Sequence, residues 1–453
     1  MTTEPFAAAV PRSRAATTAP WIGLGISLGL ITLAMLVPFV TGLNVHIRYF
    51  PPIHAQWMPR VGPGTIAAII FAGFAIRYAS DLAARLRWGW LLLVAFGASL
   101  FWMLALATVD GLDGISTILE HQYEYLRTAR EVADFGAVLS RYIAHIPLDS
   151  VDNWPVHIAG HPPGALLFFV ILVNIGLGSG LAAGLVVTVI AATTSVAVMA
   201  TLRRLGAESA ARKAAPLIAL GPAAIWMSVS ADAMFGAVAA WGLCLLAYAA
   251  MAKSWARTAL WAAGAGLVLG YCVMMSYGLP LLGVLAVTVL LVARNWTPLP
   301  WAVVAAVAVV LAFVAGGFVW WDAYPVLVER YWDGIASRRP AWYWMWGNFA
   351  ALSFSAGPLV GAAVAAAIQR LPSVRSAITA ERVIVFLATA AFVTVLLADL
   401  SQMSKAEVER IWLPFVPWLL VGTALLSERW RRWGLVGQLT FAVVVQHLLL
   451  TSW

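Results

Sequence analysis

From Trp21 onward the chain is a succession of apolar runs, broken by short stretches that hold most of its charge. A helix needs roughly 20 apolar residues to cross the hydrocarbon core of a bilayer, and runs of that length recur along nearly the whole sequence. Of 453 residues, 62% are hydrophobic and 11% are charged, where a soluble domain carries about 25% charged residues. That balance excludes a water-soluble fold and a disordered chain. It also excludes a nucleic-acid partner, because the net charge of +8 is not spread over a cationic surface. The expected fold class is an all-α polytopic membrane protein.

Thirteen runs read as transmembrane helices, near 21–43, 65–80, 89–109, 180–201, 214–230, 232–252, 258–276, 277–293, 299–320, 347–368, 382–400, 410–427 and 434–451. Residues 1–20 are polar, with Arg12 and Arg14, and read as a disordered cytosolic tail. The run that follows is too long for the h-region of a cleaved signal peptide. Residues 21–453 then form a single transmembrane domain: two helices over 21–88, a middle portion over 89–320 with an outer loop at 110–163, and C-terminal helices with an outer Trp-rich loop over 321–453. Cys244 and Cys272 both lie inside apolar runs, which gives neither a disulfide framework nor a zinc spacing.

Charge orients these runs. One further run, Gly164 to Gly178, is short for a span. If the tail is cytosolic and this run does not cross, 18 of the 28 Lys and Arg and 5 of the 20 acids fall inside. The inner side is then +13 and the outer side −5; only the Lys/Arg part carries topological weight. A crossing at 164–178 would invert one half of the molecule against the other, so an interfacial or re-entrant helix is expected there. The bias of 25 Arg to 3 Lys, with Ala-rich spans, fits a GC-rich bacterial genome, which places the chain in the plasma (inner) membrane.

Three outer segments hold the remaining polar chemistry: Asp110 to Pro163, Trp321 to Gly347 and Ser401 to Arg410. In the first, Phe135, Val138, Leu139, Tyr142, Ile143 and Ile146 recur at helical spacing, an amphipathic stripe expected to lie flat in the interface. No internal repeat is visible, so an inverted-repeat transporter has no support. Asp110 ends its span in Val109-Asp110-Gly111-Leu112-Asp113, where a carboxylate between lipid and a half-dry cavity can accept a proton from a sugar hydroxyl; the bland alternative is a solvated stop signal. Glu124 is the second candidate acid, and Asp113 reads mainly as solvated. The loop histidines His121, His145, His157 and His161 are not expected to form a metal site. In Gly160-His161-Pro162-Pro163-Gly164, two prolines start a short helix and aim His161 at the outer face. Ser404-x-x-Glu407 has the spacing of a capping box. Arg410, with Glu409 beside it, enters the next span and needs a carboxylate or phosphate partner. Arg338 and Arg339 lie among Trp320, Trp321, Trp332, Trp342, Trp344 and Trp346. Interfacial anchoring is the first reading of these rings, with sugar stacking as the alternative. Asp232 is a weaker candidate for acceptor binding or helix capping.

Taken in order, Val109-Asp110, the amphipathic stripe and His161-Pro162-Pro163 resemble the GT-C superfamily of membrane glycosyltransferases, which use polyprenyl-phosphate-linked sugars. The seven crossings from 89 to 320 are similar to that family's module. Glu409-Arg410-Ile411 before Leu413-Pro414 looks like a string of some mannosyltransferase branches, although the leading histidine is absent and Gly164 stands where leucine is common. The resemblance implies Asp110 as general base, with Glu124 as its substitute. It implies Arg410 on the donor phosphate, helped by His161, Arg338 or Arg339. Asp113, Asp232, Glu409 and Trp344 would contact substrate. Transfer would be inverting, on the outer face, to a cell-envelope glycan or lipid acceptor, with no cofactor and no metal. The competing readings are a flippase or transporter of a lipid-linked sugar and a non-catalytic membrane partner.

Overall fold

A computed structural model describes residues 14–451. The chain is nearly all helix. The exception is a short antiparallel pair, Ala55–Trp57 with Leu449–Thr451, which ties the segment after the first helix to the end of the last one. Seven helices are long and apolar enough to cross a membrane, or nine if each of two bent pairs counts as one span, as in a multi-pass membrane protein.

That number is below the thirteen expected, for local reasons. The run at 214–230 is interrupted: the helix Glu208–Ala219 stops before Gly221-Pro222 and resumes only as the turn Ala224–Met227. Over 277–293 a 3₁₀ turn, Leu279–Leu282, precedes a helix of 11 residues. Pro414 and Pro417 divide 410–427 into Val408–Ile411, Val416–Leu420 and a 3₁₀ stretch, since proline removes a donor and clashes with the preceding turn. The helix Glu428–Leu448 starts with Glu428, Arg429 and Arg431 and gives way to strand at Leu449. Two pairs bend, Leu299–Ala315 with Trp320–Asp333 by 74° and Ala341–Ser355 with Leu359–Ser373 by 110°. At the other terminus the helix begins at Arg14, so the expected disordered tail is shorter by 14–20; its remainder lies outside the described residues.

Contacts between helix ends divide the bundle into two ends. At one, Asp110 meets Arg60 and Gln446, Asp232 meets Arg410, and Asn348 donates to Asp399. At the other, Arg212 donates to the carbonyls of Ala83 and Leu86, Arg204 to that of Met251 and Arg370 to that of Leu425, while Trp21 packs on Trp430. The first is called the loop end here and the second the basic end. The helix Pro163–Asn174 has both termini at the loop end: His161 precedes it there, and the Gly178 carbonyl beyond it accepts from Arg130. The amphipathic stripe also belongs to the loop end, as the helix Phe135–Arg141 capped by Asp134 and a following 3₁₀ turn. Protein rather than lipid covers it, with Tyr142 and Ile146 fully buried and Tyr142 edge-on to Phe318.

Candidate active site

At the loop end, six segments bring charged and imidazole side chains into one network. Arg410, in the short helix Val408–Ile411, donates from Nη1 to Asp232 Oδ2 at 2.5 Å. Asp232 is in the first turn of the helix Ala231–Ala250, begun by Ser230, whose hydroxyl accepts from the N–H of Ala233. From Nη2, Arg410 reaches His157 Nε2 at 3.3 Å and Glu407 Oε2 at 3.4 Å. His157 Nδ1 lies 2.8 Å from Glu124 Oε1. An arginine can only donate, so His157 Nε2 is the acceptor and its proton sits on Nδ1, facing Glu124. Arg410, Asp232, Glu124 and His157 are all buried.

Glu407 faces outward from this network and is shared. Its carboxylate takes Arg339 Nη2 at 3.2 Å and Arg410 Nη2 at 3.4 Å, with His54 Nε2 at 3.8 Å. Burial alone would raise the Glu407 carboxyl, but the two guanidiniums outweigh it and hold it at about 2. Burial lowers His54 to about 4; Arg339 and Arg410 add to that against the opposing pull of Glu407. His54 is therefore neutral near pH 7, and it accepts from Arg339 Nη2 at 3.2 Å rather than forming an ion pair with Glu407. Glu124 is likewise held below the usual carboxylate range: burial would raise it, and His157 and Arg410 more than compensate. Arg410 is held protonated by Asp232 and Glu407 despite its burial.

The expected site residues separate into two groups. Glu124, Asp232, Arg339 and Arg410 meet in the network, and Glu409 joins its edge, accepting from the N–H of His54 at 3.2 Å. His161 adjoins it through its Nδ1, 2.7 Å from the His157 carbonyl, and packs on Tyr125 and Phe235. Burial lowers its pKa, which makes it a hydrogen-bonding group and not a cation. Asp110 is elsewhere: Arg60 grips both its oxygens, and Gln446 Nε2 donates to Oδ2 at 3.0 Å. Three donors engage its two oxygens, so it acts as a clamp between the end of the third span, the segment before the second and the last helix. Asp113 is exposed at the start of a one-turn helix, and Arg338 is exposed with no part in the network. Trp344 is completely buried, its Nε1 donating to the Val45 carbonyl, which rules out contact with a substrate.

Glu407 is not a helix cap. Ala406 and Glu407 both have positive φ, 65° and 64°, and no side chain caps the following turn. Two successive left-handed non-glycine residues cost roughly 1–3 kcal/mol each, and the resulting backbone path sends the Glu407 side chain to Arg339 and Arg410. His157 and His54 were missed. His157 had a signal, since His157-Ile-Ala-Gly-His161 places two histidines four residues apart; Gly160 ends the one-turn helix Val156–Ala159, so the two rings part. No group of three His, Cys, Asp or Glu is placed to hold a metal among the described residues. Gly164 has a packing reason: a Cβ there would lie 2.4 Å from the Met274 carbonyl oxygen, while Tyr271 donates to the Gly164 carbonyl at 2.8 Å. No family model, curated protein or solved structure matches the chain.

Proposed function

We propose that this chain is a membrane glycosyltransferase that moves a sugar from a polyprenyl-phosphate donor to a cell-envelope glycan or lipid acceptor. The observation that carries the reading is the convergence of Arg339 and Arg410 on one carboxylate, with His54 accepting from Arg339 beside it. Two guanidiniums with planar, forked donors make a cradle that suits a phosphate as well as a carboxylate, and Glu407 is its internal occupant. The cradle lies where the loops cover the ends of apolar helices, a position that suits a lipid-borne phosphate. A transporter would hold its charges near mid-depth on broken helices.

The chemistry follows from the arrangement. The donor phosphate displaces Glu407 and draws Arg410 toward itself, which frees His157 Nε2. The acceptor hydroxyl attacks the anomeric carbon while the carbon–oxygen bond to phosphate breaks, and the electron pair leaves on the phosphate. The hydroxyl proton passes to His157 Nε2, and Glu124 steadies the imidazolium, the division of labour of an acid–imidazole pair. Stabilisation of the departing phosphate by Arg339 and Arg410 is the larger contribution; one base supplies about 10²–10⁴-fold. Direct attack inverts the anomeric centre. In this reading Glu124 replaces Asp110 beside the reaction.

Sugar transfer from a labelled polyprenyl-phosphate donor, measured in membranes, tests the assignment. Glu124→Gln and His157→Ala are expected to lose about 10²–10⁴-fold, Arg410→Lys to raise the donor KM, and Asp110→Asn to keep the rate of the folded fraction. An inactive Asp110→Asn beside an active Glu124→Gln would return the base to Asp110. Transfer unaffected by both Arg410→Lys and Arg339→Lys would overturn the phosphate cradle.

A further inference from the structure

A large cavity lies at the basic end, away from the network just described. It measures about 1400 Å³ and opens between the first helix, Arg14–Thr41, and the last, Glu428–Leu448. Clefts that hold drug-sized molecules span roughly 300–1,000 Å³, so this one has room for something larger. Its mouth carries Lys213, Arg370, Arg429 and Arg431 against Glu381 and Glu428. Arg370 is committed to Glu381 and to the carbonyls of Ala366 and Leu425. Lys213 and Arg429 are exposed and make no hydrogen bond or ion pair with a described residue. The mouth thus holds uncompensated positive charge.

Deeper in, the walls are apolar, formed by Leu24, Leu28, Ile384 and Phe441, with Trp21, Trp430 and Trp433 around the rim. Tryptophan at a rim between charge and apolar wall marks the depth of lipid headgroups. On the last helix the lining includes Gly437, an exposed position where an added Cβ would meet nothing within 4 Å. A basic mouth over an apolar slot between helices fits an anion that carries an acyl chain, the chemistry by which membrane proteins hold phospholipid headgroups.

We infer that this cavity binds an anionic glycerophospholipid, its phosphate at Lys213 and Arg429 and an acyl chain along the slot between the first and last helices. The inference does not depend on the function proposed for the loop end.

The test is native mass spectrometry of the purified protein titrated with phosphatidylglycerol, phosphatidylcholine or inorganic phosphate. Wild type is expected to take up phosphatidylglycerol in preference to phosphatidylcholine. At about 1 kcal/mol for each Lys or Arg near a headgroup, Lys213→Gln with Arg429→Gln weakens binding about 25-fold. Gly437→Trp fills the slot from a position with open space and abolishes binding; thermal unfolding of that variant confirms that it is folded. Equal uptake of the two lipids, or undiminished uptake by folded Gly437→Trp, would overturn the inference. So would displacement of phosphatidylglycerol by inorganic phosphate at equal concentration, which would show an anion site without a chain. Uptake seen only after removal of residues 1–13 would make the chain's own N-terminal residues the occupant and overturn it as well.

Discussion

Arg410 and Arg429 sit at opposite ends of one bundle and meet opposite surroundings. Arg410 is buried with Asp232, Glu407 and His157 on its donors, and Arg429 is exposed with no partner among the described residues. The difference follows from what each end is made of. At the loop end, long connections fold back over the helices and carry acceptors with them, so Arg410 is desolvated among carboxylates and Arg330 among backbone carbonyls. At the basic end the connections are shorter, and while Arg212 and Arg370 are held by carbonyls and acids there, Lys213 and Arg429 stay open to water and to headgroups. Charge at the first end organises structure, while at the second it remains available to a ligand.

Arg410→Ala breaks the comparison most severely. It strands Asp232 in a buried site while Glu407 keeps Arg339, and removing one partner of a buried pair costs about 3–5 kcal/mol. Thermal unfolding in detergent is expected to show a clear loss, whereas Arg429→Ala is expected to change stability by less than about 0.5 kcal/mol. Comparable losses in the two variants would end the distinction between the ends.

Much of this contrast was legible before any coordinates. Sorting the Lys and Arg along the chain set Arg204, Arg212 and Arg370 apart from Arg410, and the structure keeps them at different ends of the bundle, although several apolar runs are broken and not one helix each. Asp232 and Arg410 stood out as charges at ends of spans, Glu124 and Arg339 as charges in the outer loops, and all four meet. Asp110 stood out equally, and its partners could not be read: Arg60 lies 50 positions away and Gln446 lies 336 away. Glu407 was obscured by a local pattern, since Ser-x-x-Glu favours a helix start only when the backbone is helical, and here Ala406 and Glu407 have positive φ. Trp344 shows the same limit: tryptophan suits both an interface and a core, and the contact with the Val45 carbonyl that decides between them spans 299 positions.

The clamp at Asp110 gives the next largest effect. Arg60 and Asp110 are partly exposed, with side chains 11% and 25% accessible, so solvent screens them and their pair is worth less than a buried one. Arg60→Ala is expected to cost roughly 1 kcal/mol of stability, and Asp110→Asn a similar amount. Neither is expected to alter donor KM, which separates a clamp from a member of the site. A donor KM raised tenfold in Arg60→Ala would join this clamp to the Arg410 network.

Glu407→Gln sharpens the comparison by making one feature of the loop end resemble the basic end. It keeps the shape of the side chain and removes the charge that neutralises Arg339 and Arg410, leaving two guanidiniums open to an outside anion. Binding of polyprenyl phosphate is expected to tighten about tenfold, with a stability loss of about 1 kcal/mol from the weakened pairs. Weaker binding in this variant would mean that Glu407 positions the arginines for the phosphate instead of occupying its place.

The smallest effect expected is a pH dependence that only the loop end has. His54 is pulled from the ordinary histidine value of about 6.5 to about 4 in the folded chain, chiefly by burial. Between those values the unfolded chain binds a proton that the folded chain refuses, so stability falls as pH drops from about 6.5 to about 4 and levels off below. Glu407 behaves as a depressed acid: its contribution is complete above the ordinary value of about 4.3 and is lost as pH falls toward its folded value of about 2. The two windows adjoin, and His54→Gln separates them. Unfolding measured at pH 7 and pH 5 is expected to show wild type losing on the order of 1 kcal/mol that His54→Gln retains, while both weaken together below pH 4. An identical slope in the two proteins between pH 7 and pH 5 would show that His54 is protonated in the folded chain. Its Nε2 would then donate to Glu407 and could no longer accept from Arg339, and the cradle would carry one more positive charge than two arginines supply.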